Sequence, residues 1–181
     1  MLPEILEDGE NNLSVSARAV FAECYDRLVE LDRQVKAYED KLQILYRASA
    51  ACQKLGTIPG VGPITATAMV ASLGDGKAFE NARQVSAWLV PKQDSSGGKP
   101  RLLGISKRGD TYLRTLLIHG ARSVVKAAAQ KDDANSRWIQ AMVARRNANI
   151  ATVAVANKNA RVIWALLTRN ETYRVPKTQA A

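Results

Sequence analysis

A glycine-rich turn is the first segment of this sequence whose residue types suit the binding of a phosphate group. It reads Thr57-Ile58-Pro59-Gly60-Val61-Gly62-Pro63 and lies between two stretches with helical patterns. Glycine lets a backbone approach a phosphate with no side chain in the way, and the N–H groups at the start of the next helix favour an anion. Ile58 and Val61 are expected to fill the apolar gap between the two helices. The predicted phosphate contacts are Pro59, Gly60, Val61, Gly62 and Thr65.

A loop rich in serine and glycine is the second such segment. Residues 91–101 read Pro-Lys-Gln-Asp-Ser-Ser-Gly-Gly-Lys-Pro-Arg. A serine hydroxyl beside flexible glycines suits a nucleophile that attacks a DNA phosphate, and nearby cations would offset the charge of the transition state. Because no general base is visible, the residues alone favour an ordinary phosphate-binding loop or a linker. The cations predicted to contact nucleic acid in and after the loop are Lys92, Lys99, Arg101, Lys107, Arg108 and Arg114.

The elements that must position both segments are all predicted to be helices. Pro63 suits the first turn of a short helix over Ile64–Leu73, and Gly74 suits the position after its end. Further helices are predicted over Asn81–Leu89, Asp110–Lys131, Ser136–Arg145 and Asn149–Leu167. No alternating apolar pattern of convincing length predicts a strand. The predicted fold class is all-α, with a compact helical domain that contains a helix-hairpin-helix motif.

A long helix without proline or glycine is predicted from about Ser14 to Leu55. Its apolar residues follow steps of three and four, which is the a/d pattern of a coiled coil. These residues are Phe21, Cys24, Leu28, Leu31, Val35, Tyr38, Leu42 and Leu45. Such a helix cannot bury its apolar stripe alone. The pattern favours pairing with a second copy or with a helix of a neighbouring domain over packing on its own domain.

The net charge of +9 is unevenly distributed along the chain. Residues 56–181 carry 19 Lys and Arg against 7 Asp and Glu, whereas residues 1–55 carry 7 against 10. The basic part has the electrostatics of a protein that binds a polyphosphate, which favours phosphate binding at the turn over a turn with no ligand. The predicted organisation is a disordered acidic tail (1–13), a coiled-coil-like linker (14–55), a C-terminal domain (56–170) and a flexible tail (171–181). No membrane span or signal peptide is visible, so a cytoplasmic protein is expected.

The histidine, the tryptophans and the cysteines are predicted to be structural. His119 is the single histidine and lies in the middle of a helix among apolar residues, so a role in the core or in a helix contact is favoured over a general base. The three tryptophans lie at helical positions and are also predicted to be core residues. The two cysteines have no His or Cys neighbour at the spacing of metal ligands, so no metal site is predicted in this chain.

The two segments, in this order, resemble the C-terminal domain of the insertion sequence 110/1111 transposases. The resemblance runs from about Leu55 to Arg174 and rests on four blocks. They read I-P-G-V-G-P-I-T-A-T, S-S-G-G-K, L-G-I-S-K-R-G-D-x-Y-L-R-T-L-L-I-H-G-A-R and A-N-K-N-A-R-V-I-W-A-L-L. The combination is much more specific than any block alone. In that family a helical linker similar to residues 14–55 precedes this domain.

The resemblance implies DNA transposition and site-specific recombination with a serine nucleophile, which maps here to Ser96, with Ser95 as the second choice. It also implies an N-terminal RuvC-like domain with four metal-binding acids and a structured guide RNA encoded by the element. No acidic domain of that kind is seen in this sequence, so Mg²⁺ is expected only together with it, and the chain alone is expected to be inactive. The expected partners are DNA, a guide RNA, and a second copy or a separate RuvC-like domain that pairs with residues 14–55.

Three other interpretations stay open. The chain reads Ala87-Trp88-Leu89-Val90-Pro91 where the family usually has A-W-L-G-L-V-P, a pattern two residues longer that would change the register of the serine loop. An inactive, truncated remnant of a transposase is therefore one alternative. A helix-hairpin-helix module that binds nucleic acid without chemistry of its own is the second alternative. A dimerisation protein built around the long helix is the third.

Overall fold

A computed structural model describes residues 2–93, 105–106, 109–169 and 171–174, and it confirms the all-α fold class. The helices of this part of the chain are α1 (Leu2–Glu7), α2 (Val15–Ala48), α3 (Ala50–Gly56), α4 (Pro63–Leu73), α5 (Ala82–Leu89), α6 (Thr111–Ala128), α7 (Ala134–Arg145) and α8 (Ala148–Thr168). Two strands of two residues each, β1 (Lys92–Gln93) and β2 (Ile105–Ser106), pair antiparallel. The chain divides into two compact units, Met1–Ile44 and Leu45–Ala181. Within the described ranges, no helix combines the length and the apolar character that crossing a bilayer requires.

The first unit contains α1, in the segment predicted as a tail, and most of α2. The guanidinium group of Arg18 donates hydrogen bonds to the carbonyl oxygens of Ile5 (3.4 Å) and Leu6 (2.7 Å), which ties the start of α2 to α1. No residue of α2 is buried. Large apolar side chains of the predicted coiled-coil stripe are exposed: Phe21, Leu28, Leu31, Val35, Tyr38 and Leu45. Cys24, on the same stripe, is exposed as well.

The helix predicted as continuous to Leu55 is interrupted at Ser49. This residue has an extended backbone (φ −107°, ψ 111°), and its side-chain oxygen accepts a hydrogen bond from the Cys52 N–H. Serine is among the strongest N-cap residues, so α3 starts afresh at Ala50 in a stretch with neither proline nor glycine. The prediction of one uninterrupted helix was therefore wrong at this point, whereas its predicted end at Gly56 is confirmed.

The second unit is built around α8, which packs against α3, α5, α6 and α7. Its core contains large side chains that are almost completely inaccessible to solvent: Leu55, Ile58, Met69, Val85, Leu89, Val90, Leu113, Leu117, Ile139 and Ile163. Helices α3 and α4 pack against each other, and α4 also contacts α6. Burial of this apolar surface is the main favourable term that holds the turn between α3 and α4 in place.

Side-chain caps fix the starts of α5 to α8. Each cap residue has an extended or near-extended backbone, and its side-chain oxygen accepts a hydrogen bond from one or two N–H groups of the first turn. The cap residues are Asn81, Asp110, Asp133 and Asn147. These groups satisfy N–H donors that have no partner inside the helix, and so they set the boundaries of the helices that surround the candidate site.

Candidate nucleic-acid interface

The turn that joins α3 to α4 (residues 57–62, called the α3–α4 turn) has one side inside the protein. Ile58 is 2% exposed and Val61 is 4% exposed, which confirms that these two side chains fill the gap between the helices. The Val61 N–H donates to the carbonyl oxygen of Ile58 at 3.0 Å, and the Ile58 N–H donates to that of Leu55 at 3.0 Å. The amides of these two residues are therefore engaged within the protein and are not offered to a ligand.

Gly60 faces α6 and makes a close backbone contact with it. The residue has a φ of +84°, a conformation that favours glycine. A β-carbon at Gly60 would lie 2.7 Å from the carbonyl oxygen of Gly120, and a β-carbon at Gly120 would overlap the carbonyl oxygen of Gly60. The two glycines thus allow the α3–α4 turn and α6 to approach more closely than any side chain would permit.

Helix α8 holds the same turn from another direction. The side-chain amide of Asn159 donates a hydrogen bond to the carbonyl oxygen of Pro59 at 2.9 Å, across 100 positions of sequence. Asn159 is buried, with 7% of its surface exposed. A buried hydrogen bond of this kind is costly to break, because the polar groups left behind would have no water to bind. Asn159 therefore fixes the position of the turn.

Gly62 is the open point of the α3–α4 turn. It is exposed, and a β-carbon placed on it would meet nothing within 4 Å. Its backbone is extended (φ −88°), so glycine is not required there by conformation. Gly62 is the N-cap residue of α4 and provides no side-chain cap, and Pro63 follows it at the first helical position. The N–H groups of the first turn of α4 consequently lack the side-chain partner that α5 to α8 possess.

The two threonines near this helix start differ in accessibility. Thr65, which the sequence predicts as a phosphate contact, is 7% exposed and belongs to the buried side of α4. Thr67 is half-buried, and its hydroxyl group donates to the carbonyl oxygen of Pro63 at 2.8 Å. The accessible part of the predicted contact set is thus Gly62 and the backbone at the start of α4.

The base of the serine loop (residues 91–104) is closed by backbone contacts. Lys92 pairs with Ser106 and Gln93 pairs with Ile105 in the β1–β2 ladder. Just beyond it, Gly109 has a φ of +97°, and a β-carbon there would overlap the carbonyl oxygen of Trp88. The ladder was not predicted, because a pair of two-residue strands is too short to produce an alternating apolar pattern.

Arg114 also belongs to the base of the serine loop. Its Nε–H donates to the carbonyl oxygen of Leu89 at 3.0 Å, which connects α6 to the end of α5. The side chain is half-buried, so at least part of its hydrogen-bonding capacity serves the fold. The remaining residues predicted as sites in and after the loop lie outside the described residues: Ser95, Ser96, Lys99, Arg101, Lys107 and Arg108.

Helices α6, α7 and α8 give the second unit a basic surface. None of the three contains an aspartate or a glutamate within its bounds. Their exposed cations are Arg122, Lys126, Arg137, Arg145 and Arg161. Carboxylates occur just outside them, and the cap residue Asp133 accepts bonds from the Ser136 hydroxyl and from the Ser136 and Asn135 N–H groups, which lower the pKa of its carboxyl group. Surface potential of this sign attracts polyanions and is screened by salt.

His119 is exposed on α6, which rules out the core as its location; of the two structural roles predicted for it, only that of a helix contact remains. Its apolar neighbours in sequence point to other sides of the helix. Leu117 is buried, and two positions along the helix correspond to a rotation of about 200° about the helix axis, which places His119 on nearly the opposite side. The three tryptophans are partly buried and pack against the core, as predicted. Trp164 also donates to the carbonyl oxygen of Gly76 at 3.0 Å.

Gly120, Gly109 and Asn159 are the positioning residues that sequence reasoning missed. Gly120 left a signal, because a glycine inside an otherwise regular helix costs about 1 kcal/mol relative to alanine and so indicates a packing reason. Gly109 and Asn159 gave no such signal in the sequence, because the residues that they contact, Trp88 and Pro59, lie 21 and 100 positions away. The described residues also bring together no group of three or more His, Cys, Asp or Glu side chains that could hold a metal ion.

Comparisons with known proteins agree with the sequence blocks described above. Residues 52–138 match the sequence model of the Transposase IS116/IS110/IS902 family. The chain is 53% identical over 154 residues to a probable family 20 transposase of Pseudomonas aeruginosa, covering 84% of this chain and 46% of that protein. It is 48% identical over 175 residues to the transposase for insertion sequence element IS1111A of Coxiella burnetii, covering 96% and 48%. The transposase for IS1328 of Yersinia enterocolitica is 37% identical over 145 residues, covering 79% and 43%. The chain thus spans about half the length of these relatives.

Proposed function

The chain belongs to the IS116/IS110/IS902 transposase family, and from this we propose that it binds DNA as part of an insertion-sequence transposase. The observation that carries the proposal is the open backbone at Gly62. There the α3–α4 turn acts as a helix-hairpin-helix motif that brings the start of α4 to a backbone phosphate. Such a contact positions the protein on DNA and reads no base sequence. The basic surface of α6 to α8 supplies the long-range attraction.

Gly62→Val is expected to weaken binding to duplex DNA about tenfold, the effect of losing one hydrogen bond to a charged group worth ~1.5 kcal/mol. The added side chain blocks the phosphate, and its β-carbon meets no protein atom within 4 Å. Because Gly62 is the N-cap of α4 and valine is a poorer cap, the variant should lose about 0.5–1 kcal/mol of stability and a few degrees of melting temperature but stay folded. Fluorescence anisotropy with a labelled duplex at several salt concentrations measures the affinity.

Ala71→Val is the matched control for this experiment, because it adds the same kind of bulk to an exposed position about 12 Å along α4. It should leave DNA affinity unchanged. For the wild-type chain, affinity should fall steeply as salt rises, since released counterions dominate binding. Equal affinities of wild type and Gly62→Val, or a response to salt that is flat, would count against the proposal.

We further propose that Ser96, with Ser95 as the second choice, is the nucleophile of the intact transposase. The serine oxygen would form a bond to a DNA phosphorus while a strand oxygen leaves; the hydroxyl proton is lost and the leaving oxygen takes one up. Magnesium ligands would come from the N-terminal RuvC-like domain that the family resemblance implies, and not from this chain. The 181-residue chain by itself, incubated with Mg²⁺ and labelled DNA, should give no covalent adduct on a denaturing gel. An adduct that is abolished by Ser96→Ala but not by Ser95→Ala would support Ser96 as the nucleophile. It would also contradict the prediction that the chain alone is inactive.

The exposed stripe of α2 is proposed to pair with α2 of a second copy. Leu28→Glu, which places a charge on the stripe at a residue 56% exposed, should reduce the molar mass measured by light scattering to that of one chain. Val29→Glu is the matched control, because Val29 is 49% exposed on the same helix but lies off the stripe. A wild-type mass of one chain, or the same loss of mass for both variants, would contradict pairing through the stripe. A guide RNA remains a proposed partner by family membership.

A further inference from the structure

Adjoining cavities lie next to the part of the α3–α4 turn that contains Pro59 and Gly60. One of about 500 Å³ is bounded by Pro59 and Gly60, by the end of α6, and by the start of α7. A second, of about 640 Å³, is bounded by α8 and by residues 171–174. Tyr173 borders both, and it also borders the small gap between them together with Pro59 and Lys158. The first cavity lies within the range of about 300–1,000 Å³ that is typical of pockets for small ligands.

Lys158 is the cation of this region that is already partly removed from water. Its ammonium group donates to the side-chain oxygen of Asn135 at 2.7 Å and lies 4.7 Å above the ring of Trp138. Burial lowers the pKa of the lysine, and the nearby charge of Arg161 lowers it further, whereas Asp133 opposes these effects. A partly desolvated ammonium ion that rests on an amide oxygen and an aromatic face gains from an anion brought close to it.

Two carboxylates lie near the cavities, and Asp133 borders the first cavity. Asp133 accepts three hydrogen bonds from residues of α7: the Asn135 N–H (3.0 Å), the Ser136 N–H (3.1 Å) and the Ser136 hydroxyl (2.6 Å). Its charge is therefore directed at the positive end of that helix. Glu171 is exposed and borders only the second cavity, together with Arg174. Lys131 adds a further cation to the border of the first.

We propose, building on the DNA-binding function above, that the cavity beside Pro59 and Gly60 receives an unpaired nucleotide of the DNA strand whose neighbouring phosphate lies at Gly62. Gly60 and Gly62 are separated by at most about 7 Å of chain, so the strand needs to span only that distance. The ring of Tyr173 offers a face on which a base can stack, and Asn135 offers an amide for its polar edge. Lys131 on the border of this cavity, together with Lys158 on the border of the adjoining gap, attracts the phosphate that the nucleotide carries.

The test compares two duplexes that contain the fluorescent base 2-aminopurine, one fully paired and one with 2-aminopurine as a single unpaired nucleotide. The wild-type chain should bind the second duplex about tenfold more tightly, with a change of fluorescence as the base stacks. Lys158→Gln should remove this preference. Arg161→Gln, an equal change of charge at an exposed position on the same helix, should weaken binding of both duplexes alike and so keep the preference.

The possible failures are distinguishable. If the chain binds the paired duplex but shows no preference for the unpaired base, the inference is wrong and the proposed DNA binding stands. Should neither duplex bind, the proposed function itself fails. If Lys158→Gln and Arg161→Gln lose the preference equally, the preference depends on net positive charge alone. The proposal that the cavity receives a nucleotide would then be wrong. Lys158→Met, which keeps the apolar stem over Trp138, replaces Lys158→Gln if thermal unfolding shows that the glutamine variant does not fold.

Discussion

Gly120→Ala is expected to lower the free energy of unfolding by roughly 3 kcal/mol, as overpacking of a close contact does. In an ordinary helix the same substitution would stabilise by about 1 kcal/mol, because alanine is the better helix former. Here the new β-carbon would overlap the carbonyl oxygen of Gly60, which is backbone and cannot turn aside. The energetic cost of this clash is larger than the gain in helix propensity. A fall in the free energy of unfolding would therefore indicate the close contact between α6 and the α3–α4 turn.

Thermal and urea unfolding of wild type and variant measure this effect, and a fall in melting temperature of roughly 10 °C corresponds to it for a unit of this size. Ser123→Ala is the control, because Ser123 is exposed on the same helix one turn away. It should change stability by less than about 0.5 kcal/mol. A Gly120→Ala protein as stable as the Ser123→Ala protein would show that the two backbones do not approach as described.

Gly109→Ala is the second substitution with a large expected effect, a loss of roughly 3 kcal/mol. Two costs add: the φ of +97° disfavours any residue with a β-carbon, and that carbon would overlap the carbonyl oxygen of Trp88. The contact closes the base of the serine loop, so its loss should also make the chain easier for trypsin to cut near Lys92. Unfolding curves and timed digestion are the measurements.

Gly74→Ala separates the two costs at Gly109. Gly74 also has a positive φ, +58°, but a β-carbon there would meet nothing within 4 Å. Its substitution should therefore carry only the conformational cost, on the order of 1–3 kcal/mol because φ +58° with ψ −126° is a conformation that favours glycine, and leave digestion near Lys92 unchanged. Identical losses for Gly74→Ala and Gly109→Ala would mean that the Trp88 contact contributes nothing to the loop base.

Most helices of the second unit could be predicted from the sequence because their boundaries are marked locally. Pro63 and Gly74 bracket α4, and the cap residues Asn81 and Asp110 precede α5 and α6, so the predicted starts fall within one or two residues of the observed ones. Such signals need only neighbouring residues. The break at Ser49 could not be predicted in this way. A serine inside an uninterrupted apolar pattern looks the same in sequence whether it caps a helix or lies within one.

The candidate site could be predicted only in part, because its geometry depends on pairs of residues far apart in sequence. The turn itself was identified from its glycines, but the two glycines have different roles: Gly60 packs on Gly120, and Gly62 is open. Nothing local distinguishes them. The hydrogen bond from Asn159 to Pro59 and the closure of the serine loop by Gly109 are likewise tertiary contacts.

The bond between Asn159 and Pro59 has a consequence for synthesis of the chain. Asn159 lies in α8, 100 positions after Pro59, so the turn at residues 57–62 acquires this support only after the chain through α8 has left the ribosome. A nascent chain that ends before α8 lacks the anchor for Pro59, and a peptide limited to α3 and α4 lacks both Gly120 and Asn159. Grafting this turn onto another scaffold therefore requires transfer of its two distant supports as well.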